Sequence, residues 1–364
     1  MKKLLSLVLV LALAVAFTAG CGSTSTSTAT STAANTAANT EASTAPSTTS
    51  NTEQATGDAV KTGLAVISTA AKSTDAGEKD GLAEVDSVAV AVTVDKDGKI
   101  VKCVIDTAQI KINFSKDGKI LSDLKAEYKS KQELGEEYGM KKASKIGKEW
   151  FEQANAFAAY AVGKTVAEIK GVAVNQEGVT TDAELSTSVT VHITDYVAAI
   201  EKAVNNAKDT GAKAGDKLGL AIVTSISGSK EAGDKDGLAQ AYSNYTATTF
   251  DAAGKITSCV IDASQSNVNF SKAGKITSDL KAPLQTKVEL GEGYGMKKAS
   301  KIGKEWFEQA DAFSKYVVGK TVDEVKGIAV NEEGAATAAE LTSSVTVHIS
   351  DFTNIIEKAS KTAK

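Results

Sequence analysis

Sliding the chain along itself by 156 positions aligns residues 63–208 with 219–364 without a gap. Nothing else in the sequence constrains the fold as strongly. Gly63-Leu64-Ala65 matches Gly219-Leu220-Ala221, the run starting at Lys79 matches the one starting at Lys235, Cys103 matches Cys259, and Trp150 matches Trp306. The block 133–157, ELGEEYGMKKASKIGKEWFEQANAF, differs from 289–313 at only two positions. The period is domain-sized, so the chain reads as a duplicated domain rather than a solenoid. We expect domains at 58–208 and 219–364 with a linker at 209–218.

Each copy opens with strand-like sequence. SVAVAVTVDKDGKIVKCVID is two alternating runs about a turn, a hairpin signal, and INFSKDGKIL holds a second turn. The stripe Trp150, Phe151, Ala154, Phe157, Ala158, Val162 predicts a helix, ended by Gly163. Thr165 and Thr321 each open a capping box. SVTVHI reads as a strand with Ser188, Thr190 and His192 on one face, followed by a helix capped by Asp195. The class is α+β: two tandem domains, each a small antiparallel sheet with helices.

The folded part has a different preface. Lys2 and Lys3 precede an apolar run, Leu4–Phe17, too short to span a bilayer, and then TAGC. This resembles a bacterial lipoprotein signal: residues 1–20 are removed and Cys21 is lipidated. Residues 22–57 are almost all Ser, Thr, Ala and Asn, cannot bury a core, and read as a disordered tether reaching about 30–35 Å. The chain is therefore expected at the cell membrane, lipid-anchored on the extracellular face.

Composition closes several doors. All 41 basic residues are Lys, interspersed with acids, and the formal charge is −4. No arginine fork exists for phosphate, and nucleic acid is not an expected partner. No Walker loop, dinucleotide glycine fingerprint or metal-ligand spacing occurs, so no metal is expected. Ser122 and Ser278 start Ser-x-x-Lys patterns without the companions of a hydrolase. The acids Glu133, Glu136 and Glu137 read as a solvated face, since Gly293 stands at the third position in the second copy. Cys103 and Cys259 read as small buried strand residues.

Two blocks remain. The only histidines, His192 and His348, each lie two residues after a threonine, Thr190 and Thr346. The second block is YGMKKASKIG: Tyr138, Met140, Lys141, Lys142, Ser144 and Gly147, repeated as Tyr294, Met296, Lys297, Lys298, Ser300 and Gly303. A glycine-bearing loop entering a helix offers N–H groups for an anion, and Tyr, Met and Trp offer surface for a ring.

Along most of each copy the sequence resembles the FMN-binding domain of extracytoplasmic flavoproteins and of sodium-pumping quinone reductase subunits. VTVDKDGKIVKCVID resembles its opening hairpin, and KIGKEWFEQANAFAAYAVGKT its central helix. TSVTVHITDYVAAIEKA and SSVTVHISDFTNIIEKA lie on its closing motif, Ser-Gly-Ala-Thr-x-(Ser/Thr)-Ser and a helix. The resemblance implies that Thr190 and Thr346 carry FMN by phosphoester. Gly-Ala is replaced by Ser188-Val189 and Ser344-Val345, and the last Ser by Ile193 and Ile349. His192 and His348 would contact the phosphate or ring, and the YGMKKASKIG block would face the flavin. The architecture is similar to tandem-domain lipoproteins of Gram-positive extracellular electron transfer. It implies a flavin transferase and a membrane electron donor, such as a quinone-linked dehydrogenase, as partners. It implies an electron carrier more than an enzyme with its own substrate. The other reading is a flavin-free surface lipoprotein that binds a ligand or wall component through the same loop.

Overall fold

A computed structural model describes residues 57–364; the signal, Cys21 and all but the last residue of the tether lie outside that range. Each half begins with a three-stranded antiparallel meander. The first is β1 (Lys61–Thr69), β2 (Gly81–Val94) and β3 (Ile100–Phe114). The helices that follow are α1 (Lys131–Leu134), α2 (Trp150–Ala161), α3 (Val166–Lys170) and α4 (Thr194–Asn206). The second half repeats this with β4 (Lys217–Ser225), β5 (Gly237–Phe250) and β6 (Ile256–Phe270). Its helices are α5 (Lys287–Leu290), α6 (Trp306–Val317), α7 (Val322–Lys326), α8 (Ala339–Thr342) and α9 (Ser350–Thr362). The expected α+β class, hairpins, central helix and capping boxes at Thr165 and Thr321 are all present. Gly163 ends the central helix with a left-handed φ of 81°.

Alternation along the strands explains the layering. Val88, Val90, Val92 and Val94 of β2 point to the core under α2 and α4. Ala83, Val85, Ala89 and Ala91 point the other way, into a core shared with the second half. Strands covered on both faces read as nearly continuous apolar runs. The order is thus helices, sheet, sheet, helices, in one body. Alanines line the shared face from both sides, including Ala239, Ala241 and Ala247 of β5. Phe114 and Phe270, the last residues of β3 and β6, stack across it with centroids 4.3 Å apart. Loops are exchanged reciprocally: Ala76 N–H donates to Gly274 O and Ala232 N–H to Gly118 O, both at 2.8 Å.

The repeated glycines are explained by this packing. A Cβ on Gly63 would lie 2.0 Å from the Ala203 carbonyl oxygen of α4; on Gly219 it would lie 2.1 Å from that of Ala359. A Cβ on Gly81 or Gly237 would enter the ring of Phe114 or Phe270.

Three expectations are corrected. The segment 209–218 is no free linker: Ala212 and Asp216 are buried, Ala212 O accepts from Val60 N–H, and β4 already starts at Lys217. SVTVHI is not a strand. Val189 and Ile193, four residues apart, both point into the core, because this segment turns from a single 3-10 turn (Leu185–Thr187) into α4. The residue capping α4 is Ile193, with Asp195 inside the first turn. Cys103 and Cys259 are free and buried, as read from their strand setting.

Candidate functional site

Helix α2 buries a polar residue in its apolar stripe. Gln153, fully buried, shares the inner face with Trp150, Ala154 and Phe157. Its Oε1 accepts from Thr190 N–H at 2.7 Å and from Thr190 Oγ1 at 3.1 Å. Its Nε2 donates to Ser144 Oγ at 3.1 Å and to Lys148 O at 3.2 Å. Both lone pairs and both protons of the amide are used. One side chain thus ties the Thr-x-His segment to the YGMKKASKIG loop, which lie about 40 residues apart in sequence. The second half repeats the constellation. Gln309 Oε1 accepts from Thr346 N–H (2.8 Å), Thr346 Oγ1 (3.2 Å) and Val347 N–H (3.2 Å), and its Nε2 donates to Ser300 Oγ (3.2 Å) and Lys304 O (3.2 Å).

The loop itself is held by a buried carboxylate. Glu149 Oε2 accepts from Met140 N–H at 2.8 Å and Oε1 from Lys141 N–H at 3.0 Å. Glu305 does the same for Met296 and Lys297. The N–H groups anticipated as an anion cradle at the head of this loop are therefore already occupied. Gly147 and Gly303 have φ of 63° and 64°, where a side chain would be strained. Lys141, Lys142, Lys297 and Lys298 project to solvent, and Tyr138, Met140, Tyr294 and Met296 are half-buried against their cores.

Unused donors lie elsewhere. Helix α4 has 13 residues, no side-chain cap, and a first turn whose N–H groups lack intrahelical partners. It starts four residues after Thr190. Helix α9 stands in the same relation to Thr346. Thr190 and Thr346 are half-buried. His192 and His348 are exposed, each held by an isolated bridge, to Val179 and Ala335 respectively. The structure therefore joins Thr190, Ser144 and Gln153 directly, while the histidines and paired lysines stand at the surface around them.

A lysine–aromatic stack flanks the loop. Lys131 Nζ lies 4.7 Å from the Tyr138 ring centroid and 5.4 Å from that of Trp150. Lys287 is more enclosed, 4–5 Å or so from three rings: 4.6 Å from Tyr242, 4.7 Å from Tyr294 and 5.0 Å from Trp306. Burial pulls its ammonium down to about 8. Asp86 occupies the position of Tyr242 in the first half and pairs instead with Lys72 at 2.6 Å. The aromatic stack thus carries one deeply buried cation in the second half only.

Gln153, Glu149 and Lys131, with their repeats, were absent from the expected site. One signal for the glutamine was available: a polar residue on an otherwise apolar helical stripe, kept in both copies.

No family model and no solved structure matches the chain. Chlorophenol reductase of Desulfitobacterium hafniense is 50% identical over 42 residues, which is 12% of this chain and 13% of that protein. The similarity spans about an eighth of that relative's length.

Proposed function

We propose that this protein is a membrane-anchored extracellular flavoprotein electron carrier, with FMN joined by a phosphoester to Thr190 and Thr346. The observation that carries the reading is the Thr–Gln–Ser constellation, built twice with the same partners. An acceptor threonine must be oriented and half-open, and each is. Its hydroxyl donates to an amide oxygen, which is too weak a base to take the proton. The chain thus offers an acceptor without activating it, so attachment would fall to a separate flavin transferase. The phosphate charge is best met at the uncapped starts of α4 and α9, where dipole and free N–H groups favour an anion.

Bound FMN supplies reversible electron transfer. The chain's own residues hold and orient: Gln153 and Gln309 set the threonines, and the loop lysines bring positive charge beside them. A lipid on Cys21 would keep both halves near a membrane electron donor such as a quinone-linked dehydrogenase. The test is peptide mapping after co-expression with a flavin transferase. FMN less water is expected on the peptides holding Thr190 and Thr346, each lost in its Thr→Ala variant. Unmodified peptides, with a transferase active on a control substrate, would overturn the reading.

A further inference from the structure

Two ion pairs cross between the halves, and the repeat relates one to the other. Lys358 of α9 pairs with Glu133 of α1 at 2.7 Å, and Lys202 of α4 pairs with Glu289 of α5. We propose that these lysines are positioning residues acting across the halves: each half fixes the loop beside the other half's threonine. The inference rests on the reading of Thr190 and Thr346 as the functional sites.

Three observations carry this. The first is how each lysine is held. Lys358 Nζ also donates to Ile222 O of β4 at 2.6 Å, and Lys202 Nζ to Val66 O of β1 at 2.7 Å. Each ammonium is anchored on its own sheet before it reaches across. The four paired side chains are 24–30% exposed, so water screens them less than it screens a surface pair. Lys119 and Glu231 also pair between the halves, but at 59% and 49% exposure.

The second is what the glutamates hold. Glu133 Oε2 closes the α1 capping box by accepting from Ser130 N–H at 2.8 Å, which leaves Oε1 for Lys358. Helix α1 runs directly into a 3-10 turn, Gly135–Tyr138, and Met140 N–H is then taken by Glu149. The helix therefore sets where the YGMKKASKIG loop begins. Glu289 is placed in the same way ahead of Tyr294, accepting from Thr286 N–H at 2.9 Å. A turn held from both sides keeps the loop in one geometry beside its threonine.

The third is a further contact onto the first site. Lys364 Nζ donates to Asn155 Oδ1 at 2.9 Å, and the same oxygen accepts from Gln132 Nε2 at 3.3 Å. Gln132 belongs to α1. Asn155 stands on α2, two residues after the Gln153 amide that holds Thr190. A residue of the second half thus joins the two helices that frame the first threonine. Val288 and Asp311 replace Gln132 and Asn155 in the second half, where Asp311 pairs with Lys315 of its own helix at 2.7 Å.

The test is hydrogen–deuterium exchange on the flavin-free full-length protein, which reads both loops without a cofactor. Lys358→Met should speed exchange across 134–148 about threefold or more and leave 290–304, in the substituted half, unchanged. Lys202→Met should do the reverse. Glu133→Gln, which keeps a capping-box acceptor, should match Lys358→Met, and the double variant should go no further than either, because both break one pair. Lys119→Met, which breaks the exposed pair with Glu231, should change neither loop. With a flavin transferase present, Lys358→Met should slow attachment at Thr190 several-fold and spare Thr346. Faster exchange in the substituted half, equal change in both loops, no change, or equal attachment at both threonines would overturn the proposal. Wild-type protein that takes no FMN would overturn the flavin reading instead, and the exchange result would stand apart from it.

Discussion

Gln153 is the residue on which the candidate site turns. Replacing it with Leu would leave the Thr190 N–H and the Lys148 carbonyl without their partners. Each unmatched buried group costs about 1–3 kcal/mol, so Gln153→Leu should lower stability by about 2–4 kcal/mol in urea unfolding. It should also reduce flavin attachment at Thr190 while sparing Thr346; equal attachment at both would contradict the role given to the amide. A second residue-scale prediction concerns Asp106, 5% exposed, whose carboxyl burial pushes up to about 6. A folded pKa above the unfolded one means the folded state holds the extra proton between about pH 4 and 6. Stability from this group is therefore full below about pH 4 and lost as pH rises through 6. Asp106→Asn keeps an acceptor oxygen for the N–H groups of Thr107 and Gln132. The stability difference between wild type and variant should shift toward the variant from pH 4 to pH 8, by on the order of 2–3 kcal/mol at most. A difference independent of pH would contradict the assignment. Asp106 was not legible beforehand, because a buried acid is marked only by the neighbours that tertiary packing supplies; Gln153 was marked by its place on an apolar helical stripe, but its partners were not.

Elements were legible where period and caps agreed. The hairpins, α2 and the Thr165 and Thr321 boxes follow from local chemistry alone. SVTVHI failed for a nameable reason. Six residues fit alternation, but Val189 and Ile193 also fit one helical turn, and the packing under α4 decides between the two. The glycines of β1 and β2 mark contacts between elements rather than turns. Gly63→Ala would drive a Cβ against the α4 backbone, and Gly81→Ala one against the Phe114 ring. Each should destabilise by about 2–3 kcal/mol, read as a lowered urea midpoint. The contrast is Gly77→Ala, where no atom lies within 4 Å of the new Cβ, which should change little. Equal effects at the three positions would refute the close-approach account.

At the scale of the whole molecule, duplication was plain from the sequence, but the joining of the halves was not. The residues that form the shared core, such as Ala83, Ala89 and Ala91, look like the unremarkable second face of an alternating strand. Once two such faces meet, neither half retains a solvated sheet. Residues 57–208 expressed alone should therefore dimerise or unfold, and Phe114→Ala in the full chain should cost about 3–5 kcal/mol. A monomeric 57–208 with a cooperative transition would show instead that the halves are independent. The same joining places two repeated threonine sites in one compact unit. The most direct measurement of the central claim is the intact mass of the protein from its native host, before and after both threonines are changed to alanine. The account predicts two increments of FMN less water per chain, and none in the double variant. A mass with no such increment, or one that persists in the double variant, would contradict it.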